Sequence, residues 1–376
     1  MTLRSLRPVG NRIASSEGMG GCELEALVDG YRVSHLSSGT AALALAMRMA
    51  CKRSGVESPE VVLPAYGCPD LVAAAVHAGA RPVLADLRPD SPGYDPEAVA
   101  ALLNPRTAAI VAVTFLGIRS DFGRLRTIIG DRNVVLIEDS AQWFPREPAQ
   151  RFLGDYVVLS FGRGKPVNVL GGGALLVSGS MESPPAPQSS AGGAALRDAA
   201  EVAIYNSLIH PRIYGIAERL PFLGIGLTRY HPLEEIAGMP PARRQRLPVN
   251  VGRYLARRLD VQDKWREVLA RLDGRHITDL PLTHGVPCDY ALLRYPILMG
   301  SKALRDETYA QLRQAGLGAS IMYARALPDI EGVGPLVTVQ RGFPCARDFA
   351  DRLLTLPTHE DVDDATIRRT ANLLGH

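Results

Sequence analysis

Lys165 ends the run Ser160-Phe161-Gly162-Arg163-Gly164-Lys165, which follows directly on an apolar stretch. A lysine there can form an imine with an aldehyde once its amine has lost its proton, which a nearby cation or desolvation favours. Ser160 offers a hydroxyl to a phosphate, and Arg163 is either a second such contact or a surface charge. Asp139 closes the run NVVLIED. A carboxylate at the end of a buried strand is costly unless it meets a positive partner. A protonated pyridine nitrogen is one such partner, and the bland alternative is a helix cap. Gln142 stands close enough in sequence to reach a hydroxyl on the same ring, while Glu138 points the other way in a regular strand and takes no role. Ser38-Gly39-Thr40-Ala41 enters a helix, where backbone amides and the positive dipole end either hold a phosphate or merely cap the helix. Gly171-Gly172-Gly173 lets backbone approach a neighbour closely. The stretch GRGKPVNVLGGG is neither a Walker motif, since Pro166 follows the lysine, nor G-x-G-x-x-G.

These residues need elements to position them. Apolar runs predict strands at Val61–Pro64, Pro82–Asp86, Ala108–Thr114, Val134–Ile137, Tyr156–Phe161 and Ala174–Ser178. They lack alternation and are separated by helical stretches such as Thr40–Lys52 and Pro69–Ala78, which indicates a parallel sheet covered on both faces. In an open α/β sheet ligands gather at the carboxyl ends of the strands, where Asp139 and the Lys165 run fall. Residues 181–193, rich in Pro, Ser, Ala and Gly, read as a mobile surface loop. Helical patterns then run to about residue 272, followed by an α+β pattern: a strand at Leu293–Leu298, a helix at Arg305–Gln314, a strand near Ser320–Tyr323 and a last helix from Asp364. The expected organisation is α/β, with a large domain over 1–272 and a smaller α+β domain over 273–376.

Composition narrows the class. With 376 residues, 46% hydrophobic, 22% charged and a net charge of +3, the chain has the makeup of a globular protein and no electrostatic reason to bind nucleic acid or a membrane. Five scattered cysteines without a C-x-x-C pair suggest neither a disulfide framework nor zinc, and fit a reducing cytoplasm. The apolar stretch Ile213–Leu227 is interrupted by Glu218, Arg219 and Pro221 and is too short to span a bilayer. Eight histidines show no metal-ligand spacing. His359 reads as a turn residue, and arginines 243, 244, 246, 253, 257 and 258 form either a solvated helix face or a site for an acidic substrate.

Taken in order, SSGTAAL (37–43), the stretch 61–86, IEDSAQ (137–142), the block 154–178, the segments around RYPILM and GLGASIMYA, and FPCARDFADRLLTLPTH (343–359) resemble the DegT/DnrJ/EryC1/StrS family of pyridoxal phosphate-dependent aminotransferases. The resemblance runs from about residue 20 to the end. It implies a fold-type I architecture with a mostly parallel seven-stranded sheet, pyridoxal 5'-phosphate as cofactor, and a homodimer with shared active sites. It further implies Lys165 as the lysine joined to the cofactor, Asp139 at the pyridine nitrogen, Gln142 at the ring hydroxyl, and Thr40, Ala41 and Ser160 at the phosphate, with Gly39 aiding the turn. Two positions depart from the family's sugar-modifying members. Cys68 occupies the place of their ring-stacking aromatic, with Tyr66 nearby, and Thr228-Arg229-Tyr230-His231 stands where they carry a G-Y-N segment whose Asn reaches the neighbouring subunit's phosphate. Tyr230 and His231 are the candidates for that contact.

The expected reaction is aminotransfer from an amino acid, by family analogy L-glutamate, to a carbonyl substrate that is either a keto-sugar nucleotide or a natural-product intermediate. The same electron sink also serves decarboxylation and carbon–carbon bond formation. Family dehydratases replace the lysine with histidine, whereas this chain keeps it. A non-catalytic cofactor-binding regulator is the remaining rival.

Overall fold

Apolar strands without alternation require cover on both faces, and the fold supplies it. The computed structural model describes residues 5–14, 21–185, 187–188, 195–217, 228–272, 276–338 and 342–375. Seven strands form one sheet: β1 (Tyr31–Leu36), β2 (Glu60–Pro64), β3 (Arg81–Ala85), β4 (Thr107–Val113), β5 (Val135–Asp139), β6 (Tyr156–Ser160) and β7 (Gly173–Ser178). Their order is β1-β7-β6-β5-β4-β2-β3. Strands β3, β2, β4, β5 and β6 pair in parallel, while β7 opposes both of its neighbours, which returns β1 to the common direction. The mostly parallel seven-stranded sheet expected from the sequence is therefore present.

Strand β4 illustrates the double cover. Ala109 and Val111 face the cluster formed by α1 (Gly39–Ser54) and α2 (Asp70–His77), whereas Ile110 and Ala112 face α3 (Pro96–Leu102) and α4 (Phe122–Ile129). The one unpredicted large-sheet strand, β1, has the sequence YRVSHL and buries only Leu36 fully. As an edge strand it needs no apolar run, so its sequence carries little strand signal.

The antiparallel sheet of β8 (Ile277–Asp279), β9 (Arg294–Met299) and β10 (Leu353–Pro357) has the order β10-β9-β8. Its outer core joins Tyr295, Ile297 and Met299 to Trp265 of α8 (Asp260–Ala270), Leu312 of α10 (Lys302–Gln314) and Ile367 of α12 (Asp364–Leu374). Helix α8 thus packs on this second sheet although it precedes residue 272. The strand expected near Ser320–Tyr323 is reduced to one bridge, Ser320 with Thr355. Tyr323 adopts φ +47°, a left-handed conformation that cannot continue a ladder. Residues 186 and 189–193 of the expected loop, and 218–227 of the apolar stretch begun in α6 (Pro211–Ala217), lie outside the described residues. Among the described residues no helix is long and apolar enough to cross a membrane.

Candidate active site

Parallel strands deliver their carboxyl ends to one edge, and here β5 ends at Asp139 and β6 at Ser160. Against that edge lies the start of α1, where Ser38 caps the helix by accepting from Ala41 N–H at 3.0 Å. Two glycines make the approach possible. A Cβ on Gly39 would stand 2.7 Å from Ser160 Cβ, and a Cβ on Gly173 would stand 2.5 Å from the Ser38 carbonyl oxygen. The Ser38–Gly39 turn, the end of β6 and the beginning of β7 are therefore held in direct backbone contact.

Asp139 is 9% exposed, and burial pushes its carboxyl above the usual carboxylate range. Among the described residues it accepts one side-chain hydrogen bond, from Ala141 N–H at 2.9 Å, and it feels the positive field of Lys165 without forming an ion pair. This is a buried acid lacking a close cation. Its neighbour Glu138 is fully buried on the opposite side of β5. It accepts from Leu153 N–H, Gly154 N–H and Ser140 Oγ and meets Arg119 at 3.3 Å, so it fastens the chain entering β6 rather than serving the site.

Lys165 follows Gly164, which has φ +71°. Its backbone N–H donates to the Gly162 carbonyl, but among the described residues its amine has no hydrogen bond or ion pair. Gln142 is buried, accepts at Oε1 from Leu116 N–H at 3.1 Å and donates from Nε2 to the Tyr323 hydroxyl at 3.1 Å. That hydroxyl adjoins Cys68, whose thiol is pushed up to about 12 by burial and by Asp70, against the opposing pull of Lys165. The Thr40 hydroxyl donates to Asp70 at 3.0 Å. The structure thus gathers Gly39, Thr40, Ala41, Cys68, Asp139, Gln142, Ser160 and Lys165 around one edge of the sheet.

Tyr230 and His231 lie elsewhere. Tyr230 N–H donates to the Glu331 carbonyl and its ring packs on Gly332, while His231 is exposed. The arginine-rich segment is largely structural: Arg246 pairs with Asp198 at 2.6 Å, Arg257 donates to the Thr358 carbonyl, and Arg258 meets Asp260 at 3.6 Å. A cavity of about 420 Å³ beside Pro166 is lined by Arg12, Arg253, Arg257, Arg258 and His359, but not by Asp139, Cys68 or Ser160. His359 is buried against the Arg7 carbonyl at 2.8 Å, and burial lowers its pKa to about 3, so it stays neutral there.

Two residues of the site carry no signal in the sequence. Tyr323 lies in the GLGASIMYA segment, but its left-handed backbone, the kind of strain that accumulates at functional sites, has no sequence signature. Asp70 is an unremarkable charge until the fold sets it beside Thr40.

The sequence profile of the DegT/DnrJ/EryC1/StrS aminotransferase family matches residues 23–183 and 247–374, which takes in every element of the site. The chain belongs to this family. Among relatives, an L-glutamine:2-deoxy-scyllo-inosose aminotransferase of Streptomyces kanamyceticus is 38% identical over 117 residues, 30% of this chain and 27% of that protein. A dTDP-4-dehydro-2,3,6-trideoxy-D-glucose 4-aminotransferase of Saccharopolyspora spinosa is 26% identical over 92% of this chain and 84% of its own length. The solved sugar aminotransferase Spr1654 of Streptococcus pneumoniae, in its pyridoxal phosphate form, superposes with a TM-score of 0.70 at 18% identity, covering 99% of this chain and 98% of its own. The fold is thus fold-type I, and the family's cofactor is pyridoxal phosphate, an aldehyde-bearing pyridine with a phosphate arm. The residues present fit that group. Asp139 is an acid short of a cation, the Lys165 amine is unengaged, and the α1 turn sits against Ser160 with no side chain at Gly39 to obstruct it.

Proposed function

We propose that this aminotransferase moves an amino group from L-glutamate or L-glutamine to a ring ketone, with Lys165 and Asp139 as its catalytic pair. The observation that carries the assignment is Asp139: a buried carboxylate with one hydrogen bond, at the carboxyl edge of a parallel sheet, beside an unengaged lysine. When bound, the cofactor supplies an electron sink for the pair of electrons released at the substrate carbon. Asp139 would hold a proton at the pyridine nitrogen and so keep the ring cationic. Lys165 Nζ would hold the cofactor and, once free of it, would serve as the group that carries a proton at the substrate carbon. Gln142, itself fixed by Leu116 and Tyr323, orients the ring hydroxyl. Thr40, Ala41 and Ser160 receive the phosphate, which requires the Thr40 hydroxyl to exchange its present bond to Asp70. Cys68, in the field of Lys165, and the adjacent Tyr323 would stand beside the bound cofactor.

Two relatives whose names give a donor or acceptor support the substrate class: one is named for L-glutamine and a cyclitol ketone, the other for a dTDP-keto sugar. Incubation of the loaded protein with L-glutamate or L-glutamine alone should convert the bound cofactor to its amino form, with loss of the visible band and appearance of the keto acid. A protein that releases carbon dioxide instead, or leaves its spectrum unchanged with both, is not an aminotransferase of this kind.

We also propose a homodimer, in which Tyr230 and His231 reach the partner's site. The exposed apolar side chains Ile204 and Leu208 of α5 (Ala195–Leu208) and Ile213 of α6 support it. Sedimentation at micromolar concentration should give twice the 40.5 kDa chain mass, and a single-chain species would refute the dimer.

A further inference from the structure

Arginines 253, 257 and 258 stand at the end of α7 (Pro241–Leu255) and in the turn after it, and all three border the cavity of about 420 Å³ beside Pro166. Four separate pieces of chain wall that cavity: the N-terminal segment at Arg12, the stretch that follows Lys165, the junction of α7 with α8, and the turn after β10. Arg12 Nε is closed off from solvent and has no hydrogen-bond partner among the described residues. Arg253 has no side-chain hydrogen bond or ion pair among them. Arg257 donates from Nη2 to the Leu292 and Thr358 carbonyls and pairs with no carboxylate among them. Asn168, 4% exposed, accepts from Leu170 N–H at Oδ1, while its Nδ2 lies near the Tyr205 hydroxyl without bonding it.

The acids nearby are already engaged. Asp260 meets Arg258 at 3.6 Å, and Glu360 and Asp361 both bind Arg7. The guanidiniums of Arg12, Arg253 and Arg257 are left without a counter-charge. Like charges held together by a fold repel, and partial burial removes the water and salt that would screen them. Such a cluster costs stability unless an anion joins it. A solvated helix face sends its arginines toward open water, whereas these border a recess built by four chain segments.

We propose that this cavity is a second binding site, for a small phosphorylated anion, separate from the site at Asp139 and Lys165. Guanidinium forks arriving from different segments suit a tetrahedral group with three or more free oxygens better than a planar carboxylate with two. A phosphate also brings about two negative charges to a place with three unpaired positive ones. The cavity has the size of a site for a small molecule. Inorganic phosphate and a phosphomonoester share the required chemistry. Asp139, Cys68 and Ser160 do not line the cavity, so a ligand there leaves the cofactor's place free. Bound to Arg12, Arg253 and Arg257, the anion ties the turn after β10 to the stretch that follows Lys165. Its binding is independent of the reaction that Lys165 serves.

The test uses cofactor-loaded, dialysed protein, so that the place of the cofactor's own phosphate is filled. Melting temperature and calorimetric affinity are measured with inorganic phosphate, pyrophosphate and glycerol 3-phosphate, against sodium chloride of equal ionic strength. Wild type should melt higher as each anion is added. Arg253→Gln should weaken the affinity roughly 10-fold, and Arg12→Gln combined with Arg253→Gln roughly 100-fold. Arg257 is left in place because it also holds the Thr358 carbonyl. Without anion both variants should melt with wild type. A variant that melts well below it would mark these arginines as structural and overturn the proposal. Tighter binding of glycerol 3-phosphate than of phosphate, lost in the double variant, assigns the site to a phosphorylated metabolite, and equal binding assigns it to free phosphate. No rise beyond that in chloride with any of the three anions, or an affinity that the double variant keeps, also overturns it.

Discussion

Lys165→Ala should lower turnover by more than about 10⁴-fold, because one side chain supplies both the covalent anchor and the proton carrier. Little fold stability should go with it. Among the described residues the Lys165 amine makes no hydrogen bond or ion pair, so its removal orphans no partner. The measurements are steady-state aminotransfer, the melting temperature, and peptide mass after borohydride treatment. Wild type should carry one cofactor mass on the peptide containing Lys165, and the variant none. Small primary amines added to the variant should restore part of the proton transfer, since the cavity they enter is one lysine side chain in size. A variant that turns over at a tenth of the wild-type rate, or wild type labelled at Lys52, Lys264 or Lys302, would remove Lys165 from the mechanism.

The neighbours of Lys165 separate what the sequence makes legible from what it hides. Continuous apolar runs place β2 to β7 to within two residues at almost every end, because both faces of a central strand are buried and burial writes itself into composition. Asp139 and Ser160 are legible for the same reason, as polar residues that close such runs. The close contact of Gly39 with Ser160 and of Gly173 with Ser38 is written only as glycine, which names no partner. Tyr323 and Asp70 acquire meaning from tertiary placement. Gln142 and Tyr323 are 181 positions apart and meet through one hydrogen bond. Sequence thus encodes the elements and the anchoring chemistry, and the fold adds the residues that hold that chemistry in place.

Asp139→Asn should reduce turnover by on the order of 10²–10⁴-fold, since a neutral amide no longer keeps the ring nitrogen protonated. The apo-protein should respond in the opposite sense. Burial raises the Asp139 carboxyl, so the folded chain holds its proton at a pH where the unfolded chain has released it. The stability tied to that proton is fully present below the ordinary carboxyl value of about 4 and is lost as pH rises through the raised value. Asparagine does not titrate. Apo Asp139→Asn should therefore gain on apo wild type as pH climbs from 4 to 8, and melt above it at pH 8. Adding pyridoxal phosphate should reverse the ranking, because the pyridinium supplies the cation that wild-type Asp139 lacks and the asparagine cannot use. Melting curves of both proteins, with and without cofactor, at each pH read the whole pattern. A difference between the two apo-proteins that stays flat with pH would mean Asp139 carries no unpaired charge at neutral pH, and the physical basis for its role at the ring nitrogen would fall with it.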